Sequence, residues 1–176
     1  MDLGYWIITG SKKMRTRYGL QLKRKRLGRT NYKKRLKLLL ANKPRLVIRK
    51  SLKNVLAQVV YYDGGGDKVI LSAHSSELKK YGWGGSNNIC AAYLVGLLLG
   101  NKAKKKNIND LIVDIGLQKS VKGSRIYSVV KGCVDVGMNI PCSEDIFPSE
   151  DRIKGKHIKG FDFNKFEEVR KKILGV

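Results

Sequence analysis

Between residues 11 and 50 the chain contains no Asp or Glu, while Lys and Arg fill 17 of its first 50 positions against the single acid Asp2. Those fifty residues carry a net charge of +16, and the other 126, with 20 basic and 13 acidic side chains, carry the remaining +7 of the total +23. Such a field opposes folding into a close-packed body, because like charges repel one another when brought together. A polyanion that supplies the counter-charge removes the repulsion. The basic segment therefore points to nucleic-acid phosphates first and to an anionic membrane surface second.

The rest of the chain can build a core. Hydrophobic residues make up 42% of 176 residues, enough for one domain of ordinary size plus an extension. The longest apolar run, Ile89–Leu99 with Gly96 inside it, is too short to span a bilayer. Gly96 and Gly100 form a small-xxx-small pattern that marks tight helix packing in a core. No charged segment followed by an apolar stretch opens the chain, so secretion is not indicated. Cys90, Cys133 and Cys142 form no CxxC pair, and only His74 and His157 stand ready to assist. Neither a metal site nor a cofactor is expected on that spacing.

Periodicity places the elements. Residues 1–29 show no sustained apolar period and read as an extended basic arm that orders on a partner. Thr30 or Asn31 then caps a helix whose apolar stripe is Tyr32, Leu36, Leu39 and Leu40, with Lys33, Lys34, Arg35 and Lys37 opposite. Strands are expected at Arg45–Lys50, Asn54–Tyr62 and Asp67–Ala73, joined by short turns as an antiparallel meander. Ser86, Asn87 or Asn88 caps a buried helix running to about Lys106. A strand at Leu111–Ile115 follows, then helices at about Ser124–Val136 and Phe163–Leu174. The fold class is α/β, in the order α-β-β-β-α-β-α, with the meander and a fourth strand in one mixed sheet and helices packed on it. Three regions result: an arm over 1–29, a core over 30–140 and a C-terminal extension over 141–176.

Few stretches fit catalysis. The glycines at 64–66 and 82–85 match neither phosphate-loop spacing and read as turns. Asp110 lies beside the fourth strand and Asp114 on it, where a nuclease would hold a metal, yet the first strand offers basic residues and no third acid. His74 lies two residues from Ser72, on one strand face, but no nearby acid orients it. The segment Lys122-Gly123-Ser124-Arg125 is either a helix start with Ser124 near the cap or a cationic loop that binds phosphate at a helix N-terminus, and both can hold at once. The arm interleaves its cations with Tyr5, Trp6, Tyr18 and Tyr32, which suit stacking on unpaired bases.

The run from Thr30 to Leu39, followed by Lys43-Pro44-Arg45-Leu46-Val47-Ile48-Arg49-Lys50-Ser51, resembles the large-subunit ribosomal protein family that binds 5S rRNA, the L eighteen family in its archaeal and eukaryotic form. Further matching motifs are Ser72-Ala73-His74-Ser75, Lys80-Tyr81-Gly82-Trp83, Ala91-Ala92-Tyr93-Leu94, Asp114-Ile115-Gly116-Leu117, Lys122-Gly123-Ser124-Arg125 and the tail from Phe147 to Ile158. The resemblance runs in order from about Arg24 to Ile158. It implies a non-catalytic structural protein of the central protuberance, in the cytoplasm, that clamps 5S rRNA to the large-subunit rRNA. A neighbouring protein of the L five family would lie beside it.

Composition and resemblance together nominate a set of RNA contacts. In the arm these are Arg15, Arg17, Lys23, Arg24, Lys25, Arg26 and Arg29; at the first helix, Thr30, Tyr32, Lys33 and Arg35. Arg49 and Lys50 on the first strand, Ser72 on the third, and His74, Ser75 and Trp83 after it extend the surface. Lys122, Ser124, Arg125, Arg152 and His157 complete it. The alternative of a different class is a free-standing RNA-processing enzyme, a metal-dependent nuclease working through Asp110, Asp114 or His74.

Overall fold

The computed structural model describes residues 20–84 and 87–175. Arg15 and Arg17, the aromatic residues Tyr5, Trp6 and Tyr18, and the cap candidate Ser86 lie outside the described residues. The elements, in chain order, are α1 (Lys23–Arg26), α2 (Tyr32–Leu40), β1 (Arg45–Lys50), β2 (Val55–Asp63), β3 (Gly66–His74), a 3₁₀ segment (Ser75–Tyr81), α3 (Ile89–Lys104), β4 (Ile112–Asp114) and α4 (Arg125–Asp135). A 3₁₀ turn (Glu144–Ile146), α5 (Glu150–Ile153) and α6 (Phe163–Leu174) follow.

The α/β fold with a mixed sheet is as the periodicity indicates. The strands lie in the order β3-β2-β1-β4. β1 pairs antiparallel with β2, and β2 with β3, so the meander forms; β4 joins β1 in parallel. Alternation along the strands separates two faces. Leu46, Ile48, Val55, Ala57 and Val59 point to the core, whereas Arg45, Val47, Arg49, Gln58 and Val60 lie on the other face.

Helices α3 and α4 cover the core face. Asn88, one of the three candidates, caps α3 by accepting from the Ala91 N–H at 2.7 Å. Asn87 instead donates to the Ser51 and Leu52 carbonyls of the β1–β2 turn. α3 is buried almost throughout, from Ile89 to Gly100, and full burial of each Leu contributes about 1.5–3 kcal/mol. Two glycines let α3 and α4 touch backbone to backbone. A Cβ on Gly96 would stand 2.2 Å from the Val129 carbonyl oxygen, and one on Gly132 would stand 2.4 Å from that of Tyr93.

The 141–176 segment returns to this core. Phe166, Val169 and Ile173 of α6 are buried in the same cluster as Tyr93 and Leu94, and Asn101 donates to the Ile173 carbonyl.

Two expectations are corrected. The arm is not extended up to residue 29, because α1 closes one helical turn, with all four of its residues exposed. And the stripe Tyr32, Leu36, Leu39 and Leu40 does not dock on the core: α2 has no buried residue, and Leu36 and Leu40 are 59% and 75% exposed. Asn31, Lys34, Arg35 and Leu38 are the ones turned toward the sheet. Polar anchors set that rotation. Asn31 caps the helix through the Lys34 N–H, and Arg35 clamps Asp67 on β3.

Candidate nucleic-acid interface

Between α2 and the outer sheet face lies a cleft of about 560 Å³. Its cations come from four segments: Arg24 from α1, Arg29 from the loop that follows, Lys34 and Arg35 from α2, Arg45 and Arg49 from β1. Two acids, Asp67 and Asp114, stand among them. Arg35 grips Asp67 with both nitrogens at 2.8 Å, and Arg45 reaches the same carboxylate at 2.6 Å. The Arg35 clamp, helped by Arg45, holds the Asp67 carboxyl below the usual carboxylate range, although partial burial acts the other way.

Arg45 also donates to Asp114 at 3.0 Å, and Arg49 lies 3.8 Å from the second Asp114 oxygen. That oxygen accepts from the Gly116 N–H as well. Both acids are thus consumed within the wall. Arg24, whose Nε donates to Thr30 Oγ1 at 2.9 Å, pairs with no acid among the described residues, and neither does Arg29 or Lys34. The cleft keeps a surplus of positive charge facing solvent.

A second basic group sits at the start of α4. Lys122 is exposed; Arg125 donates to the Asn87 carbonyl at 2.9 Å; and the Arg152 guanidinium approaches Gly123. Ser124 occupies the N-cap position without making a side-chain cap bond, and its hydroxyl has no partner. Through Asn87 this end of α4 is tied to the β1–β2 turn that follows Lys50.

The nominated residues divide accordingly. The cleft gathers Arg24, Arg29, Thr30, Arg35 and Arg49, with Arg35 already neutralised by Asp67. Lys23, Lys25, Arg26, Lys33 and Lys50 are exposed beside it, and Tyr32 is half-buried on α2. Ser72 is exposed on the outer sheet face, in register with Gln58 of the cleft wall, and His157 is exposed after α5.

His74 caps the 3₁₀ segment: its Nδ1 accepts from the Ser76 N–H, and its own N–H donates to Glu77. Burial pushes the Glu77 carboxyl up, but Lys102 and the His74 N–H outweigh it and the net shift is downward.

Ser75 and Trp83 are corrections to the set. Ser75 is fully buried, donating to Asn54 Oδ1 at 3.0 Å and accepting from the Val55 N–H. Trp83 is 7% exposed and packs edge-on against Phe161 and Phe166, with centroids 5.7 and 6.0 Å away. A side chain enclosed in that way offers no face to a base.

Sequence reasoning missed Arg45 and Gln118, and it placed Lys34 on the cationic helix face without nominating it as a contact. Arg45 was hidden because its acid partners lie 22 and 69 residues away, and their scarcity in so basic a chain was the available signal.

The residues considered for catalysis have structural employment. Asp114 neutralises Arg45, Asp110 accepts from Asn139 Nδ2, and His74 is a cap. Among the described residues no group of three or more His, Cys, Asp or Glu side chains could hold a metal ion, and no helix is long and apolar enough to cross a membrane. Burial pushes the Cys133 thiol up to about 12 and the Cys90 thiol to about 11, so both behave as small apolar groups.

A mixed sheet with helices on one face and a cation-lined cleft on the other defines a small basic α/β protein with a polyanion-facing surface. The family described as ribosomal large subunit proteins 60S L5 and 50S L18 matches residues 16–112, more than half of the chain. The chain belongs to this family. Membership makes it an RNA-binding component of the large ribosomal subunit, and implies a structural role with rRNA and ribosomal proteins as partners. The match ends at the start of β4; the motifs from Asp114 to Ile158 lie beyond it.

Proposed function

We propose that this protein binds 5S rRNA and attaches it to the large-subunit rRNA in the central protuberance, with a protein of the L five family as a neighbour and no catalytic step. The observation that carries the reading is the surplus of cations without acid partners in the α2–sheet cleft, continuous in sequence with an arm whose single acid is Asp2. Phosphate neutralisation supplies affinity and orientation, while base contacts supply discrimination. In this reading residues 1–29 act as the RNA-binding arm, 30–140 as the core that presents the cleft, and 141–176 as an extension anchored by α6. The exposed residues Lys122, Arg152 and His157, the half-buried Arg125, and Lys50, Ser72 and His74 toward the sheet end serve a second rRNA segment.

Binding to 5S rRNA, measured from about 50 to 200 mM salt, tests it. If on the order of 6–10 phosphates are neutralised, affinity falls about 10³- to 10⁵-fold across that range. Charge reversal at Arg24 and Arg26 weakens the complex without lowering the thermal unfolding temperature, since neither side chain contributes to the core. A shallow salt slope, equal affinity for any folded RNA of similar length, or Mg²⁺-dependent cleavage of the RNA by the parent protein would overturn the reading.

A further inference from the structure

We infer that the cleft is a nucleobase subsite in which one unpaired base of the bound rRNA stacks on the flat face of Arg49. The inference rests on the 5S rRNA reading and specifies what the cleft accepts.

The Arg49 guanidinium is held by the protein at one nitrogen and covered on one face. Its Nη1 donates to the Ile48 carbonyl at 2.9 Å and to the Asp114 carbonyl at 3.1 Å, and its Nη2 faces Asp114 Oδ1. A phosphate is gripped in the guanidinium plane, through N–H groups along an edge. Here Nη1 is already engaged by two main-chain carbonyls, and Nη2, 3.8 Å from Asp114 Oδ1, makes no hydrogen bond.

Gly116 fixes which surface remains. A Cβ built on it would lie 3.1, 3.1 and 3.2 Å from Arg49 Cζ, Nη2 and Nη1. A point equidistant from those three atoms at that range stands over the plane, not in it. One face of the guanidinium is therefore laid against the Gly116 backbone, at a position where φ is +61° and glycine is favoured. The Arg49 side chain is nonetheless 45% exposed and lines the cleft, which leaves the opposite face and the Nε–Nη2 edge for a ligand.

The surroundings suit a base with its phosphate outside. Leu38, Val47, Val60 and Val69 give the cleft apolar walls, which a bare phosphate would not use. Gln58 and Gln118 supply amides, and Gln118 Oε1 has no hydrogen-bond partner. Arg24 and Arg29 stand in the same cleft without acid partners, placed to hold the flanking phosphates. Single-stranded RNA is recognised in this way, by stacking unpaired bases on aromatic rings or arginine planes.

The test uses the full chain with 5S rRNA, an Arg49→Lys variant and a Gly116→Ala variant. Lysine keeps the charge and loses the plane; alanine keeps Arg49 and displaces its guanidinium. In the parent complex one unpaired base becomes protected from dimethyl sulfate or carbodiimide. In either variant that base regains reactivity while the rest of the footprint stays, affinity falls about tenfold, and the salt slope is unchanged. Thermal unfolding of each free variant checks that the fold is retained.

Parent binding with no newly protected unpaired base overturns the subsite. So does Arg49→Lys, folded, with parental affinity and footprint, which would leave Arg49 as a point charge and the 5S rRNA reading intact. Failure of the parent to bind 5S rRNA removes both.

Discussion

Arg45 on β1 and Asp114 at the end of β4 meet across the parallel strand pair, Nη1 to Oδ2 at 3.0 Å, with the arginine side chain only 2% exposed. The contact gives an acid that sequence reasoning weighed as a metal ligand a different task. It neutralises a buried cation on the outer sheet face, directly beneath the cleft. The same arginine reaches Asp67 on β3, so one guanidinium links the two outermost strands of the sheet across β2 and β1.

Removing one member of such a network leaves the other charge buried and uncompensated. Arg45→Met is expected to lower the urea-unfolding free energy by about 3–5 kcal/mol. Pairing it with Asp114→Leu should recover part of that loss, because the stranded carboxylate is removed as well. Unfolding curves for the two single variants and the double variant close the cycle; a double variant as unstable as the sum of the singles would contradict the coupling.

Asp67 gives the fold an acid sensitivity of known sign. The Arg35 clamp, with help from Arg45, lowers its folded-state pKa below the unfolded value. Its contribution is therefore fully present above the ordinary carboxylate range and is lost as pH falls through the folded value. Asp67→Asn should reduce stability at neutral pH and flatten the decline on the acid side. Thermal midpoints of parent and variant, measured from neutral pH down to about pH 3, should converge as Asp67 becomes protonated in the parent.

The sheet was legible because its pattern is local. Alternation at Leu46 and Ile48, and turn residues at Ser51–Lys53 and Asp63–Gly66, define β1 to β3 without knowledge of tertiary contacts. The unbroken apolar character of α3 and the span of α6 were visible for the same reason.

The orientation of α2 was not visible. Its leucine stripe satisfies the helical period, but Arg35 and the Asn31 cap engage the sheet side and leave Leu36 and Leu40 in solvent. Trp83 illustrates the same limit: its edge-on partners Phe161 and Phe166 arrive from α6 and the turn before it, far along the chain. The basic side of the cleft could be read from composition. The neutralisation of Arg35 by Asp67 could not, since nothing local distinguishes that arginine from its neighbours.

The glycine pattern in α3 permits a graded prediction. The spacing of Gly96 and Gly100 suggested close packing, and the contacts rank the positions. At Gly96 a methyl group would collide with the Val129 carbonyl oxygen at 2.2 Å, and at Gly132 with that of Tyr93 at 2.4 Å, both rigid backbone atoms. At Gly100 the nearest atoms are Val136 Cβ and Cγ2 at 3.1 and 3.2 Å and Cys133 Cα at 3.4 Å, contacts that a shift of a few tenths of an ångström relieves. Gain in helix propensity favours alanine at all three by roughly 1 kcal/mol, so the steric term decides the outcome. Gly96→Ala and Gly132→Ala should each force α3 and α4 apart, with an overpacking penalty at or above the usual range of about 1–3 kcal/mol. Gly100→Ala should lie near neutral. Thermal unfolding of the three variants checks the order, and a Gly96→Ala protein as stable as the parent would show that the helices do not meet backbone to backbone.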